Sequence, residues 1–492
     1  MRSNKNIYEI NTRVWIKNFS DGEKSITLDK VPNSYWDNLA DLGIDFVWLM
    51  GVWKTCRSTI EKYCFEEGLV KEYNNALKDW KKEDVIGSPY SINVYEISPE
   101  LGGEESLILL KQELNKRGIK LILDFVSNHY SADSVLLRTN SEIFLTADQE
   151  IYSRDQYTYF KPFADEDLIF AHGRDPFFPA WQDTAQVNYF SLEAREYQIN
   201  LLKKISNICD GLRCDMAMLT LNNVFINTWG GTLNKMGFAR PETHFWQEAI
   251  TAVKVDKPDF VFLAEVYWDL EWELQQLGFD YTYDKKLIDK LHHGDPREIT
   301  SHLYAEPDYQ ERSCRFIENH DEPRAVTLLG KERAKLSAVL ISTITGLKLY
   351  NEGQFEGKKI KLPVQLGREP KEVVLTCMQE FYTKLLHITR SDIFRYGDWH
   401  LVQIHCPWEG NITFRNLIAY EWRYKHEKAL VVLNFANVTS TARIKLDVAG
   451  YPDVFELKDL LNDINYTRTT EEAYHTGVYI ELKSYRCHIF VY

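Results

Sequence analysis

The chain has 492 residues, 44% of them hydrophobic and 26% charged, which excludes a disordered or collagen-like protein. Its length suits roughly two to four domains, or one large enzyme core with additions. No run approaches the ~20 apolar residues of a membrane span, and a net charge of −14 repels phosphate backbones, so neither a membrane nor nucleic acid is expected as a partner.

The N-terminal stretch MRSNKNIYEINTRVW carries basic residues with no apolar run behind them, unlike a secretory signal. The first strand signal is Ile44–Met50 (IDFVWLM), and the polar, helix-like stretch Trp53–Ser88 follows it. Glu104–Arg117 places Leu107, Leu110 and Leu114 on one face and stops at Gly118, a helix with a C-terminal glycine. Ile119–Val126 (IKLILDFV) is the next strand, and after it Tyr130–Val187 is rich in Asp, Tyr, Phe and Pro. Insertions of that length are functional or form a small subdomain. Ser191 opens a helix carrying Ile199, Leu202 and Ile205 on one face. Strand-like runs recur at Gly211–Cys214, Phe260–Ala264, Arg315–Ile317 and Gly346–Tyr350, with helical stretches between them.

Repeated strand–helix units predict a parallel sheet, and this many predict a closed (β/α)8 barrel. After about Ser391 the pattern changes to alternating, β-rich runs at Ala429–Phe435, Ala442–Val448 and Val478–Tyr492. The expected organisation is a barrel over 1–129 and 188–390, an inserted subdomain over 130–187, and an antiparallel β domain over 391–492. The eight cysteines form no CxxC pair, so they predict neither a zinc site nor a redox motif. With the N-terminus, they favour a cytoplasmic protein. The 13 Trp, 28 Tyr and 25 Phe fill cores, and flat rings also stack on sugar faces.

Four segments place polar residues directly after apolar strands: Asp124–His129 (DFVSNH), Gly211–Asp215 (GLRCD), Ala264–Trp268 (AEVYW) and Phe316–Arg324 (FIENHDEPR). In a barrel the C-terminal strand ends share one face, so these residues share one site. The set holds Asp124, Asp215, Glu265 and Asp321, with Arg213, His129 and His320, and it contains no serine–histidine pattern. Carboxylates gathered in one cleft push their pKa values apart, which separates an acid from a nucleophile. That arrangement suits acetal chemistry.

In this order and after these strands, the segments resemble the four conserved regions of glycoside hydrolase family 13, the α-amylase family. The resemblance implies that Asp215 is the nucleophile, Glu265 the acid/base and Asp321 the carboxylate that binds sugar hydroxyls. It implies that Arg213 keeps Asp215 ionised, that His129 and His320 contact the sugar, and that Tyr90 in GSPYSINVY stacks on it. Asp124 and Asn128 order the site, and WQDTAQVN (Trp181–Asn188) closes the inserted segment, with Asp183 and Asn188 as structural residues. Glu352 and Glu356 in YNEGQFEG line the cleft or cap a turn.

The chain also departs from the family. Many α-amylases carry Lys-His three and four residues after the nucleophile, where this chain has Met218 and Leu219. A calcium ion of the usual kind is therefore not expected, and neither is any other cofactor. Asp133, Asp165, Glu166 and Asp167 offer oxygen ligands for a cation, although a solvated acidic loop explains them as well. Cys214 is expected to face away from the nucleophile.

The resemblance implies a retaining α-glycosidase acting on maltooligosaccharides or related α-glucosides by double displacement. The alternatives are a transglycosylase, isomerase or phosphorylase on α-glucosides, the last needing a phosphate pocket for which Arg174, Arg240 and Arg368 are candidates. A catalytically inactive sugar-binding protein is the rival from another class. The sequence leaves the particular glucoside, its linkage and the oligomeric state open.

Overall fold

The computed structural model describes residues 4–20, 26–164 and 167–492. Eight parallel strands close into a barrel: β1 (Asn6–Asn11), β2 (Phe46–Met50), β3 (Lys120–Val126), β4 (Gly211–Asp215), β5 (Val261–Ala264), β6 (Tyr281–Tyr283), β7 (Ser313–Arg315) and β8 (Leu347–Asn351). Each pairs with its sequence neighbours, and β1 pairs with β8 to close the ring. Strands covered on both faces are mostly apolar, which is why FVWLM and LILDFV read as near-continuous runs.

Side chains alternate between the barrel interior and the helix layer. Ile7, Phe46, Ile122, Leu263, Cys314 and Leu347 fill the interior toward the N-terminal strand ends. One step further along the same inward rows come Glu9, Trp48, Asp124, Arg213 and Glu265, all buried. The polar layer at the C-terminal face thus follows directly from strand alternation.

Helix Gly103–Lys116 buries Leu107, Leu110 and Leu114, and Gly118 adopts φ +76° just past its end. Helix Leu192–Ile205 is capped by Ser191, whose hydroxyl accepts from the Ala194 N–H at 3.2 Å. Gly346 leads into β8 with φ +108°, and a Cβ there would lie 2.4 Å from the Ser313 carbonyl oxygen of the adjoining strand. Gly346→Ala is expected to lower stability by about 1–3 kcal/mol in denaturant melts, since both the dihedral and the contact oppose it.

The segment after β2 contains helices Ser58–Tyr63 and Glu67–Ala76. It packs on the loop after β8 through Tyr73, Leu77, Val85 and Leu366. The segment after β3 is a small antiparallel unit, pairing His129–Ser131 with Thr184–Gln186 and Tyr159–Phe160 with Phe170–Ala171. Beyond helix Asp392–Tyr396 the chain forms a six-stranded and a three-stranded antiparallel sheet. Their facing sides enclose a second apolar core that includes Leu430, Val432, Ile444, Ile480 and Phe490. The larger sheet docks on helix Ala325–Thr343, where Trp422 Nε1 donates to the Thr343 carbonyl at 2.6 Å. The chain is therefore a (β/α)8 barrel with a subdomain inserted after its third strand and a C-terminal antiparallel β domain.

Candidate active site

Arg213 organises the barrel mouth. Its register partner on β3 is Asp124, and its side chain is fully buried. Nη1 donates to Asp215 Oδ1 at 2.6 Å and lies 3.7 Å from Asp124 Oδ1. Nη2 lies 2.6 Å from Glu265 Oε2, an ion pair without the alignment of a hydrogen bond. The rings of Trp48, Tyr90 and Tyr283 surround the guanidinium with centroids at 5.1, 5.5 and 5.7 Å. One cation thus serves three buried carboxyl groups.

Glu265 follows β5. Its Oε2 accepts from the Met216 N–H at 2.8 Å, and its Oε1 accepts from the Tyr267 hydroxyl at 2.8 Å. Met216 directs that N–H from a left-handed conformation, φ 43°, immediately after Asp215. Burial raises the Glu265 carboxyl to about 7, against the opposing pull of Arg213 and with the help of Asp215 and Asp321. Burial also raises Asp215, while Arg213 works to keep it ionised. The aligned, charge-assisted bond from Arg213 goes to Asp215, so the proton retained by the pair belongs on Glu265.

Asp124 accepts from Trp48 Nε1 at 3.2 Å and from the Gly51 N–H at 3.3 Å, and burial raises it to about 6. Its contacts are with the frame of the site. The Asp321 side chain is 49% exposed at the mouth, and its Oδ2 lies 2.9 Å from His320 Nε2. Desolvation opposes its charge, yet the His320 imidazolium holds it well below the usual carboxylate range. The Tyr90 ring stacks on His320 at 5.6 Å, and its hydroxyl lies 2.7 Å from His320 Nε2.

The structure thus gathers Tyr90, Asp124, Arg213, Asp215, Glu265, His320 and Asp321. His129 stands apart from the carboxylates: its ring packs on Trp181 at 5.4 Å, and burial lowers it to about 4. Residues 173–181 run from that contact to the far side of the mouth, where Phe177 meets Trp268 edge-on at 4.9 Å. The segment thus touches the chain after β3 through Trp181 and the chain after β5 through Phe177. Cys214 is buried in the outer layer, away from the mouth.

Several other candidates are engaged elsewhere. Glu352 pairs with Lys358 at 3.1 Å, and burial raises Glu356. Asp183 is raised to about 6 by burial, and its backbone carbonyl accepts from Ala132 and Ser91. Asn188 is buried, and its Oδ1 accepts from the Phe190 N–H. Arg368 pairs with Asp79 and Asp84, Arg174 lies over the Trp229 ring, and Arg240 is exposed, so the three form no common anion pocket.

The residues bearing on a cation are placed as follows. Asn128 Oδ1 accepts from Gln186 Nε2 at 2.9 Å, and Met218 and Leu219 are buried and apolar. Asp133 and Asp167 are exposed, and Asp165 and Glu166 lie outside the described residues. Among the described residues no three His, Cys, Asp or Glu side chains group as a metal site, and no helix is long and apolar enough to cross a membrane.

Sequence reasoning missed Glu9, whose Oε1 lies 2.5 Å from His320 Nδ1. It also missed Trp48 and Tyr283 as walls of the Arg213 pocket. A charged residue inside the alternating run NIYEIN was the available signal for Glu9.

Residues 19–379 match the profile of the α-amylase catalytic domain. An α-amylase, MalA, of Haloarcula japonica is 22% identical over 458 residues, covering 90% of this chain and 57% of the relative. A cyclomaltodextrinase of Thermoanaerobacter pseudethanolicus is 24% identical over 394 residues, covering 74% of this chain and 61% of the relative. The chain therefore spans less than two thirds of these relatives' length. The crystal structure of a maltogenic α-amylase, AmyB, from Thermotoga neapolitana superposes with a TM-score of 0.71 at 20% identity, covering 99% of this chain and 98% of that one. With the profile match extending over most of the barrel, the chain belongs to the α-amylase family.

Proposed function

We propose that the protein is a retaining α-glucan hydrolase that cleaves maltooligosaccharides by double displacement. The observation that carries this reading is the bridging of Asp215 and Glu265 by one guanidinium, with both contacts at 2.6 Å. Such bridging favours the close carboxyl spacing of retaining enzymes, ~5–5.5 Å, over the ~6.5–9.5 Å that leaves room for a water.

Glu265, raised to about 7, carries the proton for the glycosidic oxygen. Asp215, held ionised by Arg213, attacks the anomeric carbon as that bond breaks. A β-glycosyl–enzyme ester forms. Glu265, now deprotonated, takes a proton from water, and the attack of that water on the anomeric carbon releases Asp215. Asp321, half-exposed and ionised, accepts bonds from sugar hydroxyls, while Tyr90, His129 and His320 line the bound ring. The printed names of the relatives, α-amylase and cyclomaltodextrinase, support maltooligosaccharides as the substrate class. Eight unpaired cysteines support a reducing, cytoplasmic setting. The buried, apolar Met218 and Leu219, in place of the Lys-His pair, support catalysis without a calcium ion of the usual kind.

The test is product analysis on maltoheptaose and on sucrose, with and without phosphate. The reading predicts shorter maltooligosaccharides from maltoheptaose, independent of phosphate and unchanged by EDTA. Longer glucans would replace hydrolysis by transfer, rearranged disaccharides by isomerisation, and a sugar phosphate formed only with phosphate by phosphorolysis. Loss of activity in EDTA, restored by calcium, would overturn the metal-free reading.

A further inference from the structure

His320 stands between two acidic side chains. Its Nδ1 lies 2.5 Å from Glu9 Oε1, and its Nε2 lies 2.9 Å from Asp321 Oδ2 and 2.7 Å from the Tyr90 hydroxyl oxygen. Glu9 comes from β1, on the inward row above Ile7, and is fully buried. Its Oε2 has no hydrogen-bond partner among the described residues, so its side chain is committed to His320 alone. Burying a carboxyl group with a single polar contact is costly, and barrel packing does not require it, because the same row is apolar one step below.

A neutral imidazole has one N–H and one lone pair. Here both ring nitrogens face carboxyl oxygens, so either neutral tautomer would turn a lone pair toward an acidic group. Only the imidazolium donates to both sides. We propose that Glu9 is a positioning residue that holds His320 as an imidazolium and, through it, fixes Asp321 as an oriented carboxylate in the cleft. The role of Asp321 in catalysis rests on the function proposed above.

The groups facing His320 come from every neighbouring element. They are Glu9 from β1, Asp124 from β3, Tyr90 from the segment after β2, and Asp321 from its own loop; the Trp48 ring closes one edge, and Arg324, Glu352, Lys361 and Glu369 line the same cavity. Arg213 is occupied by Asp215 and Glu265, and Lys361 donates to the Asp321 backbone carbonyl, leaving the carboxylate to His320. Burial disfavours a charged His320, but Asp321 and Glu9 together raise it well above its ordinary value.

The experiment is 15N NMR of the histidine-labelled full chain, with His320 assigned by the signal lost in His320→Asn. Wild type is expected to stay an imidazolium through neutral and mildly alkaline pH, held by Glu9 and Asp321, whereas Glu9→Gln loses that proton at a distinctly lower pH, in the range where Glu265 ionises. On maltoheptaose, log kcat/KM of wild type falls above about pH 7 with unit slope as Glu265 loses its proton, and in Glu9→Gln the slope approaches two. At pH 8 the variant is expected to lose about tenfold in kcat with less than about twofold change in KM. A purely structural role would lower the profile without changing its slope. A neutral wild-type His320 at pH 7 would overturn the proposal whatever becomes of the variant, and so would a Glu9→Gln spectrum identical to wild type. A Glu9-dependent imidazolium in a protein that hydrolyses no glucan would support the hold on His320 and overturn the hydrolase reading instead.

Discussion

Glu265→Gln is expected to lower kcat on maltoheptaose by ~10³–10⁴-fold, because the substitution removes the proton that Glu265 supplies to the leaving oxygen. It is also expected to stabilise the protein at pH 8. The folded-state pKa of Glu265, about 7, lies above its ordinary 4.5. A carboxyl group raised in this way burdens the folded state once it ionises: the penalty is absent below pH 4, grows between 4.5 and 7, and is complete above 7. Gln keeps the shape without the charge, and its amide still meets the Met216 N–H and the Tyr267 hydroxyl. The gain should reach roughly 2–3 kcal/mol at pH 8 and vanish near pH 4.5, as read by thermal melts at the two pH values. A variant that loses activity but melts identically at both would contradict the burial argument. A variant that keeps its activity would contradict the assignment of Glu265.

Arg213→Gln has the largest expected effect on stability. The guanidinium is the cation that reaches Asp124, Asp215 and Glu265 together. Removing one partner from a buried ionic cluster costs about 3–5 kcal/mol, chiefly through the charges left behind. Those charges can be discharged by protonation, so the cost should be greatest at pH 8 and smaller at pH 5. Urea melts at both pH values check this. A loss independent of pH would mean that the contacts of Arg213 with the rings of Trp48, Tyr90 and Tyr283 matter more than its charge. Activity should be lost as well, since Asp215 would no longer be held ionised.

How much of this was legible in the sequence follows from how each part is built. Strands β2, β3 and β5 show as largely apolar runs because both faces are buried, and β4 shows through the GLRCD segment after a helix. Strand β7 was marked two residues late, at Arg315–Ile317, because FIEN continues its apolar pattern past Ser313–Arg315. Two strands were not visible. β6 is the three residues Tyr281–Tyr283 between two aspartates, too short to show a period. β1 carries Glu9 in the middle of an alternating run, which reads as a surface strand until the barrel closes around it.

The carboxylates were legible because strand ends place them at one face and the family motifs mark them. The network behind them was not. Glu9 and His320 are 311 positions apart, and nothing local to either announces the pair. His129 shows the opposite limit: its motif is local and clear, but its immediate contact, Trp181, comes from the inserted segment, whose approach depends on tertiary packing.

Retention of configuration is the most direct consequence of an Asp215 nucleophile. In the first minutes of maltoheptaose cleavage, 1H NMR of the newly formed reducing end distinguishes the two stereochemical courses before mutarotation mixes them. Double displacement through Asp215 predicts that the α-anomer appears first and the β-anomer only later. Initial release of the β-anomer would mean a single displacement by water, and would contradict the assignment of Asp215 as nucleophile and the reading of the shared Arg213 bridge.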